Sequence, residues 1–354
     1  MKRVRIGGQA VLEGVMMMGP ESYALSVRKP NGEIDVSVTP FQTMTAKHKG
    51  LDIPIVRGVL NFIESLYVGI STLMKSSVIS EEAEEETVKA EAKADSKAET
   101  KADSKAEAKA EAKSDLKSEV KTVAKKTKAD KSAVNEKSKE ENLTKGDLIL
   151  TLILSLAIAV GVFVLLPAFV ANFLYKVTDS NLLVNLAEGI LRMLIFLAYI
   201  YAISHMKDIK RTFMYHGAEH KTINCMEAGK ELTIENVRGT SRFNKRCGTS
   251  FIFVVMIISI IVFMFVNTDL MWLRLLSRLL LIPVIAGVSY EFIRYAGRHE
   301  NACANALSSP GLWLQRLTTQ EPDDDMIEVA IKSVEGVIDW KEYIDCVNNN
   351  SFEK

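Results

Sequence analysis

The sequence predicts a mainly α-helical membrane protein, in which about four spanning helices and one amphipathic helix form a bundle with a small N-terminal β-hairpin unit and a cytoplasmic C-terminal helix. Two observations lead to this fold class. The run from Leu148 to Tyr175 contains no charged residue and is long enough to cross a hydrocarbon core of about 30 Å. The 44 basic and 44 acidic residues cancel overall, yet residues 81–145 alone hold 16 Lys and 17 acidic residues. A membrane domain with a charged insert is therefore expected.

Residues 1–46 are predicted to form a small β-rich unit. Two short alternating runs, Tyr23–Arg28 and Ile34–Val38, flank an Asn-Gly turn, which is a strong hairpin signal. The glycine-rich stretch before them permits tight turns and close approach to a ligand or another segment, but it lacks a phosphate-binding glycine fingerprint. Its Glu13 is interpreted either as a site carboxylate or as a structural one held by a partner.

Residues 47–80 are predicted to contain a membrane-associated amphipathic helix. Between residues 53 and 75, polar side chains recur every three or four residues and form one stripe, while apolar side chains cover the rest of the surface. Such a helix would lie in the membrane interface or pack among spanning helices with its stripe toward a wet interior. Arg57 and Glu64 on this stripe are interpreted as partners of each other or as contributors to a site.

Residues 81–145 form a low-complexity tether rich in Lys, Ala, Glu and Ser. No apolar face repeats along it, so it offers nothing to bury in a core. We expect a solvated segment, intermittently helical or disordered, with no catalytic role. Its balanced charge argues against strong binding to lipid head groups.

Four spanning helices are expected in two pairs, within residues 146–204 and 249–298. They run from Leu148 to about Tyr175, from Leu182 to Ser204, from Thr249 to Val266 and from Trp272 to Tyr290. Residues 205–248, between the pairs, carry nine Lys or Arg, whereas the other two connections carry one. By the positive-inside rule this loop is cytoplasmic. Four crossings then place both termini in the cytoplasm, which predicts a multi-pass protein of the cell membrane.

Several ionisable residues fall within or beside the predicted spans, where a central charge costs about 3 kcal/mol. Glu188 and Arg192 are four residues apart and are predicted to pair on one helix face. Arg274 and Arg278 are interpreted as snorkelling side chains at a helix end. Glu188 and Glu291 are considered for an inward-facing role near a site.

Residues 299–354 are predicted to be a cytoplasmic tail. Pro310-Gly311 indicates a turn that leads into an interfacial piece, with Trp313 at head-group depth. Three successive aspartates, Asp323–Asp325, are predicted to cap a helix from about Met326 to Val337 rather than to bind a divalent ion.

The strongest chemical signal is the sequence His216-Gly-Ala-Glu219-His220. On a helix, positions i and i+4 share a face, so both imidazoles would point toward one metal ion. The His-x-x-Glu-His order is that of inverted zincins, where the glutamate is the general base. At about 100° per residue, Glu227 returns to within about 20° of His216, which makes it the better local third ligand than Cys225. The alternative is an amphipathic helix whose histidines only hydrogen-bond to neighbours.

Four stretches together resemble the DUF1385 family, namely Gly7–Met17, Tyr215–Lys221, Arg246–Phe251 and Leu317–Asp324. The resemblance covers nearly the whole chain outside the tether, and it implies a bacterial or plastid membrane protein of unknown function, described as a metal-dependent enzyme. One departure bears on the ligands. Where the family often has a histidine before the Arg-Cys-Gly-Thr-Ser motif, this chain has Asn244. That leaves His216, His220 and either a carboxylate or Cys247 as the metal ligands.

The first functional hypothesis is a metal-dependent hydrolase with its site at the cytoplasmic membrane face. His216 and His220 would bind a divalent ion such as Zn²⁺, with Glu227 or Glu291 completing the ligand set. Glu219 would take a proton from a water molecule that the metal activates. The developing oxyanion would be stabilised by Arg246 or Lys221. A peptide and a lipid head group both remain open as substrates, and no nucleic-acid partner is predicted.

Two further hypotheses come from other classes of protein. A membrane scaffold would use a structural metal site with Cys247 as a ligand and a closed four-ligand shell. A small transporter or channel component would use Glu188, Arg192, Glu291 and the histidines as a polar path. The sequence contains no inverted repeat, so the transporter ranks below the other two.

Overall fold

The structure is a computed structural model that describes residues 6–106, 145–266, 271–299 and 301–352. The chain divides into two compact units. One comprises Met1–Glu85 and Val162–Lys354 and contains the sheet and the residues discussed below; the other is Glu86–Gly161. Within the described residues the protein is mainly helical, as predicted.

The N-terminal residues form a four-stranded antiparallel meander, of which the sequence predicted the second half. The strands are β1 (Gly7–Val11), β2 (Gly14–Met18), β3 (Ser22–Arg28) and β4 (Ile34–Pro40). The predicted hairpin is the β3–β4 pair, and its turn glycine, Gly32, has a φ of 86°. The glycine-rich stretch was not predicted as strand, yet it supplies β1 and β2, joined by a two-residue turn in which Glu13 has a φ of 50°.

The helices are numbered in chain order over the described residues. They are α1 (Met44–Lys47), α2 (Val56–Ala106), α3 (Lys145–Val160), α4 (Leu166–Asn172), α5 (Asn181–Ile203), α6 (Lys207–Glu227), α7 (Ile234–Arg238), α8 (Gly248–Met264), α9 (Met271–Ala296), α10 (Ala302–Thr318), α11 (Asp324–Glu335) and α12 (Trp340–Asn348). Short 3₁₀ turns cover Lys49–Leu51 and Phe173–Lys176, and a π-helical turn covers Gly161–Leu165. The predicted amphipathic helix is therefore the start of α2, which continues into the tether. Tether residues 107–144 lie outside the described residues.

The sheet lies between two helical layers. On one face, Val15 and Met17 pack in a core with Tyr215 of α6 and Ile327 of α11. Alternate residues point to the other face, where Met16 and Leu25 pack with Val68 of α2. The layer that contains α6 and α11 lies close to the sheet, because the Ser333 hydroxyl of α11 donates to the Ala24 carbonyl at 3.0 Å. This packing fixes α6, the helix that carries the histidines, against the sheet.

Three helices are long and apolar enough to cross a membrane: Ile153–Lys176, Asn181–Ile203 and Leu276–Ala296. These correspond to the first, second and fourth predicted spans. The third predicted span is α8, an apolar helix of 17 residues. At 1.5 Å per residue it is about 26 Å long, a little short of the roughly 30 Å hydrocarbon core. The number of crossings and the side on which the termini lie stay predictions.

The charged residues of the spans pair with one another or with α2. Glu188 and Arg192 form the predicted i, i+4 ion pair at 2.8 Å. Arg278 was wrongly interpreted as snorkelling, since its guanidinium is buried and donates to both oxygens of Glu188. The Arg274 side chain lies outside the described residues. Glu291 pairs with Arg57, so the polar stripe of α2 faces α9 rather than pairing internally.

The C-terminal tail differs from the prediction at one point. The predicted turn at Pro310-Gly311 is wrong, because α10 runs without interruption from Ala302 to Thr318. The glycine has a packing reason: a Cβ on Gly311 would lie 2.5 Å from Cβ of Ser250 in α8. Close packing of α10 on α8 thus outweighs the local preference for a turn. The helix predicted after the aspartates is α11, with Asp323 at its N-cap position.

Candidate metal centre

The two histidines of α6 share one helix face, as their spacing predicts. Their ring centroids are 4.4 Å apart. His216 Nδ1 lies 2.8 Å from the Thr318 carbonyl oxygen, and His220 Nδ1 lies 2.6 Å from the Arg242 carbonyl oxygen. A carbonyl oxygen only accepts, so each Nδ1 carries the proton and donates it. Nε2 of each ring is left as the nitrogen available to a metal ion.

Cys247 lies next to the two histidines, and the three residues together form a group of possible metal ligands, called the three-donor group below. It is the N-cap residue of α8, and its Sγ accepts from the Thr249 N–H at 3.4 Å. The same Sγ lies 3.1 Å from His216 Nε2. The ligand atoms offered by His216, His220 and Cys247 all lie within 4.8 Å of one another. In a tetrahedral zinc site, ligand atoms are about 3.3–3.8 Å apart, so this group needs only a small contraction to hold an ion.

The charges of the thiol and the imidazoles are coupled. Burial alone would raise the pKa of Cys247, but the neighbouring His216 and His220 outweigh it and hold that pKa well below its usual value. Burial would lower the pKa of His216, whereas the Cys247 thiolate, Glu219 and the Thr318 carbonyl raise it to about 9. Without a metal, each group therefore favours the charged form of the other: the imidazolium stabilises the thiolate, and the thiolate stabilises the imidazolium.

Glu219 lies beside the three donors. Its side chain is buried, and its Oε2 is 3.9 Å from His216 Nε2. Burial raises the pKa of this carboxyl, although both histidines and a hydrogen bond from the Gly8 backbone act in the opposite direction. Gly8 of β1 must lack a side chain here, because a Cβ would lie 2.8 Å from Cγ of Glu219. The sheet thus closes over the carboxylate that the motif places between the histidines.

The Thr318 carbonyl is held against α6 by a close backbone contact. Thr318 is the last residue of α10, and the residues after it run along α6, where the Gln320 N–H donates to the Phe213 carbonyl at 2.9 Å. A Cβ on Gly217 would lie 1.9 Å from the Gln320 carbonyl oxygen. The glycine next to His216 therefore lets the segment that carries Thr318 come close enough to orient the imidazole.

A buried amide network fixes the loop before Cys247. The side chain of Gln315 accepts from the Asn244 N–H at 2.9 Å and donates to the Asn244 carbonyl at 2.7 Å. The Asn244 side chain accepts from the Arg246 N–H within the loop, and it donates to the Asn224 side chain of α6. Asn244 thus shapes the loop that presents Cys247.

The other predicted site residues have partners elsewhere. Glu227 pairs with Arg246, and Glu291 pairs with Arg57, so the structure brings neither carboxylate into the three-donor group. Lys221 is buried and contacts the Arg238 carbonyl and Glu321. Each carboxylate faces a guanidinium, and neither belongs to the group of possible ligands within 4.8 Å of one another, so the choice of Glu227 or Glu291 as the completing ligand stays a prediction.

Glu13 is likewise a structural residue of the β1–β2 turn rather than a part of the three-donor group. Its Oε2 accepts from Nη2 of Arg211 at 2.5 Å and from the Tyr215 hydroxyl at 3.3 Å. The turn is thereby tied to α6 one residue before His216.

Sequence reasoning did not identify the groups that orient the imidazoles. The acceptors that Thr318 and Arg242 provide are backbone carbonyls, which leave no residue-type signal in the sequence. One indirect signal existed for Thr318, because it lies in the Leu317–Asp324 stretch that carries the family resemblance.

The donor set suits a transition-metal ion. Imidazole and thiolate are ligands of Zn²⁺, copper, iron and nickel, whereas Mg²⁺ and Ca²⁺ prefer oxygen. Each metal-ligating histidine in proteins almost always donates its other ring N–H to a carbonyl, carboxylate or water, which is the arrangement of both imidazoles here. The residues present therefore fit such an ion, and Glu219 lies beside them.

Comparisons with known proteins identify relatives without a described activity. The model of the family described as "Protein of unknown function (DUF1385)" matches residues 53–340, a range that includes His216, His220, Cys247 and Thr318. The uncharacterized protein YqhQ of Bacillus subtilis (strain 168) is 33% identical over 329 residues, which are 92% of this chain and 90% of that protein. No solved structure matches the chain.

Proposed function

The chain belongs to the DUF1385 family, whose function is unknown, and from that premise we propose that it is a membrane-associated, metal-dependent hydrolase that holds a divalent transition-metal ion through His216, His220 and Cys247. The observation that carries the proposal is the convergence of three donor atoms within 4.8 Å of one another. Hydrogen bonds between side chains could bring such residues together without a metal. Here, however, both imidazoles use Nδ1 on backbone carbonyls, which leaves Nε2 for the shared point.

A bound Zn²⁺ ion would act as a Lewis acid and lower the pKa of water to about 7. The protein's own residues would do the remaining work. Cys247 supplies a thiolate at neutral pH, since its pKa is held low by the histidines. Thr318 and Arg242 keep the two imidazoles in the tautomer that binds metal.

Glu219 is the residue to which we assign proton transfer. Its buried carboxyl has a raised pKa, and therefore a higher proton affinity than an exposed glutamate. Its Oε2 is 3.9 Å from His216 Nε2, so the carboxylate lies beside the proposed metal position, where it would take a proton from an attacking water molecule and pass it to the leaving group. The Gly8 backbone and the sheet hold it there and exclude bulk solvent.

A structural metal site is the second candidate, favoured by the burial of the site. His220 is 1% exposed and Cys247 is 7% exposed. If Glu219 were the fourth ligand, the shell would be closed, and the ion would join α6, α8 and the loop that carries Arg242. The transporter hypothesis is not supported by an open polar path, because Glu188 and Glu291 are engaged by Arg278 and Arg57.

We further propose that the site faces the cytoplasm. The loop that contains it carries nine Lys or Arg between residues 205 and 248, and such an excess marks cytoplasmic loops. With α8 as a fourth crossing, both termini would lie on the same side as the site.

The test is metal analysis of the purified full-length protein in detergent. We expect about one transition-metal ion per chain, and loss of that ion in Cys247→Ala and His216→Ala. The matched control is Cys303→Ala, since Cys303 is an exposed free cysteine outside the donor group. Loading with Co²⁺ should give a thiolate-to-cobalt charge-transfer band that Cys247→Ser abolishes while the protein stays folded. Full metal content in the His216 and Cys247 variants contradicts the proposal.

Glu219→Gln separates the two candidates. A hydrolase keeps its metal affinity in this variant, because the carboxylate is not a ligand. A closed structural shell loses a ligand, so the metal affinity should fall and the melting temperature of the metal-loaded protein should fall with it.

A further inference from the structure

A polar pocket of about 540 Å³ lies beside the candidate metal centre. It is formed by the last turns of α6, the loop that leads to Cys247 and the end of α9. Its charged and polar lining includes Asn224, Glu227, Lys245, Arg246, Arg298 and His299. The volume falls within the range of about 300–1,000 Å³ that is typical of small-molecule sites.

The pocket continues the helix face that carries the histidines. Asn224 and Glu227 follow His220 by four and seven residues, so they lie on the same side of α6, about 6 and 10 Å farther along the axis. On the opposite wall, Arg246 directly precedes Cys247. A ligand bound in the pocket would therefore extend toward the metal ligands along α6.

The lining carries an excess of positive charge. Lys245, Arg246 and Arg298 are cationic, and Glu227 is the acidic residue among the described lining residues. Glu227 pairs with Arg246, which leaves two cations without a carboxylate partner in the part of the chain that the structure describes. Lys245 donates to the neutral Asn305 side chain at 2.8 Å. Such a pocket favours an anion, and Arg and Lys together are the usual ligands of phosphate groups.

Packing at the end of α9 orients the Arg246 side chain. A Cβ on Gly297 would lie 2.6 Å from Cγ of Arg246, so the absence of a side chain lets the Arg246 stem cross the end of the helix. Next to it, His299 Nδ1 lies 3.0 Å from the Tyr295 carbonyl oxygen, and its ring stacks on Tyr295 with centroids 4.3 Å apart.

The position of the pocket suggests where its ligand comes from. The candidate span Leu276–Ala296 ends at the pocket wall, and if this helix crosses the membrane, the cations would lie at the depth of lipid head groups. Basic residues after a span commonly serve only to orient it. Here they line a concave site that adjoins two histidines and a cysteine, which orientation alone does not require.

We propose that this pocket binds the phosphate group of the substrate, so that the protein acts on a phosphate-bearing ligand, either a phospholipid head group or a soluble phosphate ester. This substrate class rests on the proposed metal-dependent function, because the pocket wall adjoins the metal ligands in sequence: Asn224 lies one helical turn after His220, and Arg246 directly precedes Cys247. Lys245 and Arg298 contact the phosphate, and Arg246 is held in place by Glu227.

The test measures binding to the full-length, metal-loaded protein in nanodiscs. One arm uses inorganic phosphate and glycerol phosphate with phosphatidylcholine discs; the other uses discs with and without phosphatidic acid. We expect Lys245→Gln and Arg298→Gln each to weaken phosphate binding about tenfold, equivalent to about 1.4 kcal/mol. The matched control is Lys332→Gln, which removes the same charge from an exposed position in α11 paired with Glu335.

The outcomes separate the two proposals. Binding of phosphatidic acid without binding of the soluble probes assigns the ligand to the lipid, and the reverse assigns it to a soluble ester. If neither binds, or if Lys332→Gln weakens binding as much as the pocket variants do, the pocket proposal is wrong. Metal content is measured on the same samples. If phosphate does not bind but one ion per chain is present, the pocket proposal is wrong and the metal-site proposal is unaffected. If phosphate binds but the protein takes up no metal, the metal-site proposal is wrong and the phosphate pocket is unaffected.

Discussion

Two groups of buried ionisable side chains in this protein are built in opposite ways. In the candidate spans, the carboxylate of Glu188 accepts from Arg278 at 2.5 and 2.9 Å and from Arg192 at 2.8 Å. Its oxygens are used by partners within the group. At the other site, the imidazoles of His216 and His220 donate to backbone carbonyls, and their second nitrogens converge on Cys247.

The difference lies in what holds each side chain in place. Opposite charges orient the members of the Glu188 group, so its donors and acceptors are turned toward one another. Backbone carbonyls orient the histidines through Nδ1, so their Nε2 atoms point to one place, next to Cys247. Buried ionisable residues alone therefore do not identify a functional site; the nature of their orienting partners does.

Removing one member of the self-paired group should have the largest effect on stability. Glu188→Ala leaves Arg192 and Arg278 close together in a buried, apolar setting without their shared carboxylate. We expect a loss of about 3–5 kcal/mol in the free energy of unfolding. Denaturant unfolding in detergent measures it, and the metal content of the folded fraction should not change.

The control replaces all three charged residues of that group by leucine. Removing a buried ionic group as a whole is often neutral or stabilising, so this triple variant should unfold at a higher denaturant concentration than Glu188→Ala. The comparison fails if the triple variant is the less stable of the two, or if Glu188→Ala removes the metal.

The self-paired group was partly predictable from sequence, and the reason is local geometry. Glu188 and Arg192 are one helical turn apart, so their pairing follows from the helix period. Arg278 is 90 residues away in sequence, and no local pattern identifies the partner of a side chain at that separation. The β1–β2 hairpin was missed for a different reason, because its local pattern is weak. Its run of consecutive methionines shows no alternation of polar and apolar residues, and its turn contains Leu12 and Glu13 rather than Asn-Gly.

Disturbing an orienting carbonyl should have the second largest effect. In Gly217→Ala the new methyl group would meet the Gln320 carbonyl oxygen at 1.9 Å, so the backbone that carries Thr318 must move. Overpacking of this kind costs about 1–3 kcal/mol. Loss of the orienting hydrogen bond typically lowers metal affinity about 10–100-fold, which competition with a chelator measures.

Gly248→Ala is the matched control for this variant. Gly248 adjoins Cys247 in sequence, but a Cβ there meets no atom within 4 Å. Its metal affinity should equal that of the unaltered protein. Equal affinity in Gly217→Ala would instead show that the Thr318 carbonyl does not orient His216.

The protonation of His216 in the metal-free site gives a third prediction. His216 has a pKa of about 9, so Nε2 of its imidazole carries a proton at neutral pH in the metal-free site, beside the Cys247 thiol, whose pKa is held well below its usual value. A metal ion binds the neutral imidazole and must displace that proton. Affinity should therefore rise about tenfold per pH unit as the pH increases to about 9, and then level off.

Thiolate absorbance identifies where the proton resides. Metal-free protein near pH 7 should show ultraviolet thiolate absorbance that is missing in Cys247→Ser, and His216→Ala should raise the pH at which it develops, because the imidazolium lowers the Cys247 pKa. An ordinary thiol would develop this absorbance only near its unperturbed pKa of about 8.5. Absence of a thiolate at neutral pH contradicts the coupling described here.

For the candidate site, the sequence predicts the direction in which side chains point around the axis of α6, but not which residues lie close together along that axis. The i, i+4 spacing correctly places both imidazoles on one face of α6, and Cys247 was one of the alternatives for the third ligand. Glu227 was predicted as a ligand because it points in nearly the same direction around the helix axis as His216, and the helical period alone says nothing about distance along the axis. At 1.5 Å per residue, Glu227 lies about 10 Å along the axis from His220 and about 16 Å from His216, beyond the reach of a glutamate side chain.

Glu227→Gln should accordingly have the smallest effect on the metal. Its carboxylate pairs with Arg246 at the pocket, so the substitution removes one ion pair and no ligand. We expect metal content and affinity equal to those of the unaltered protein, measured beside His220→Ala, which should lose the ion. Because Arg246 is then freed from its acidic partner, binding of inorganic phosphate in the pocket should become stronger. A fall in metal content in Glu227→Gln would restore the carboxylate as a ligand and place the ion nearer the end of α6 than the three donors suggest.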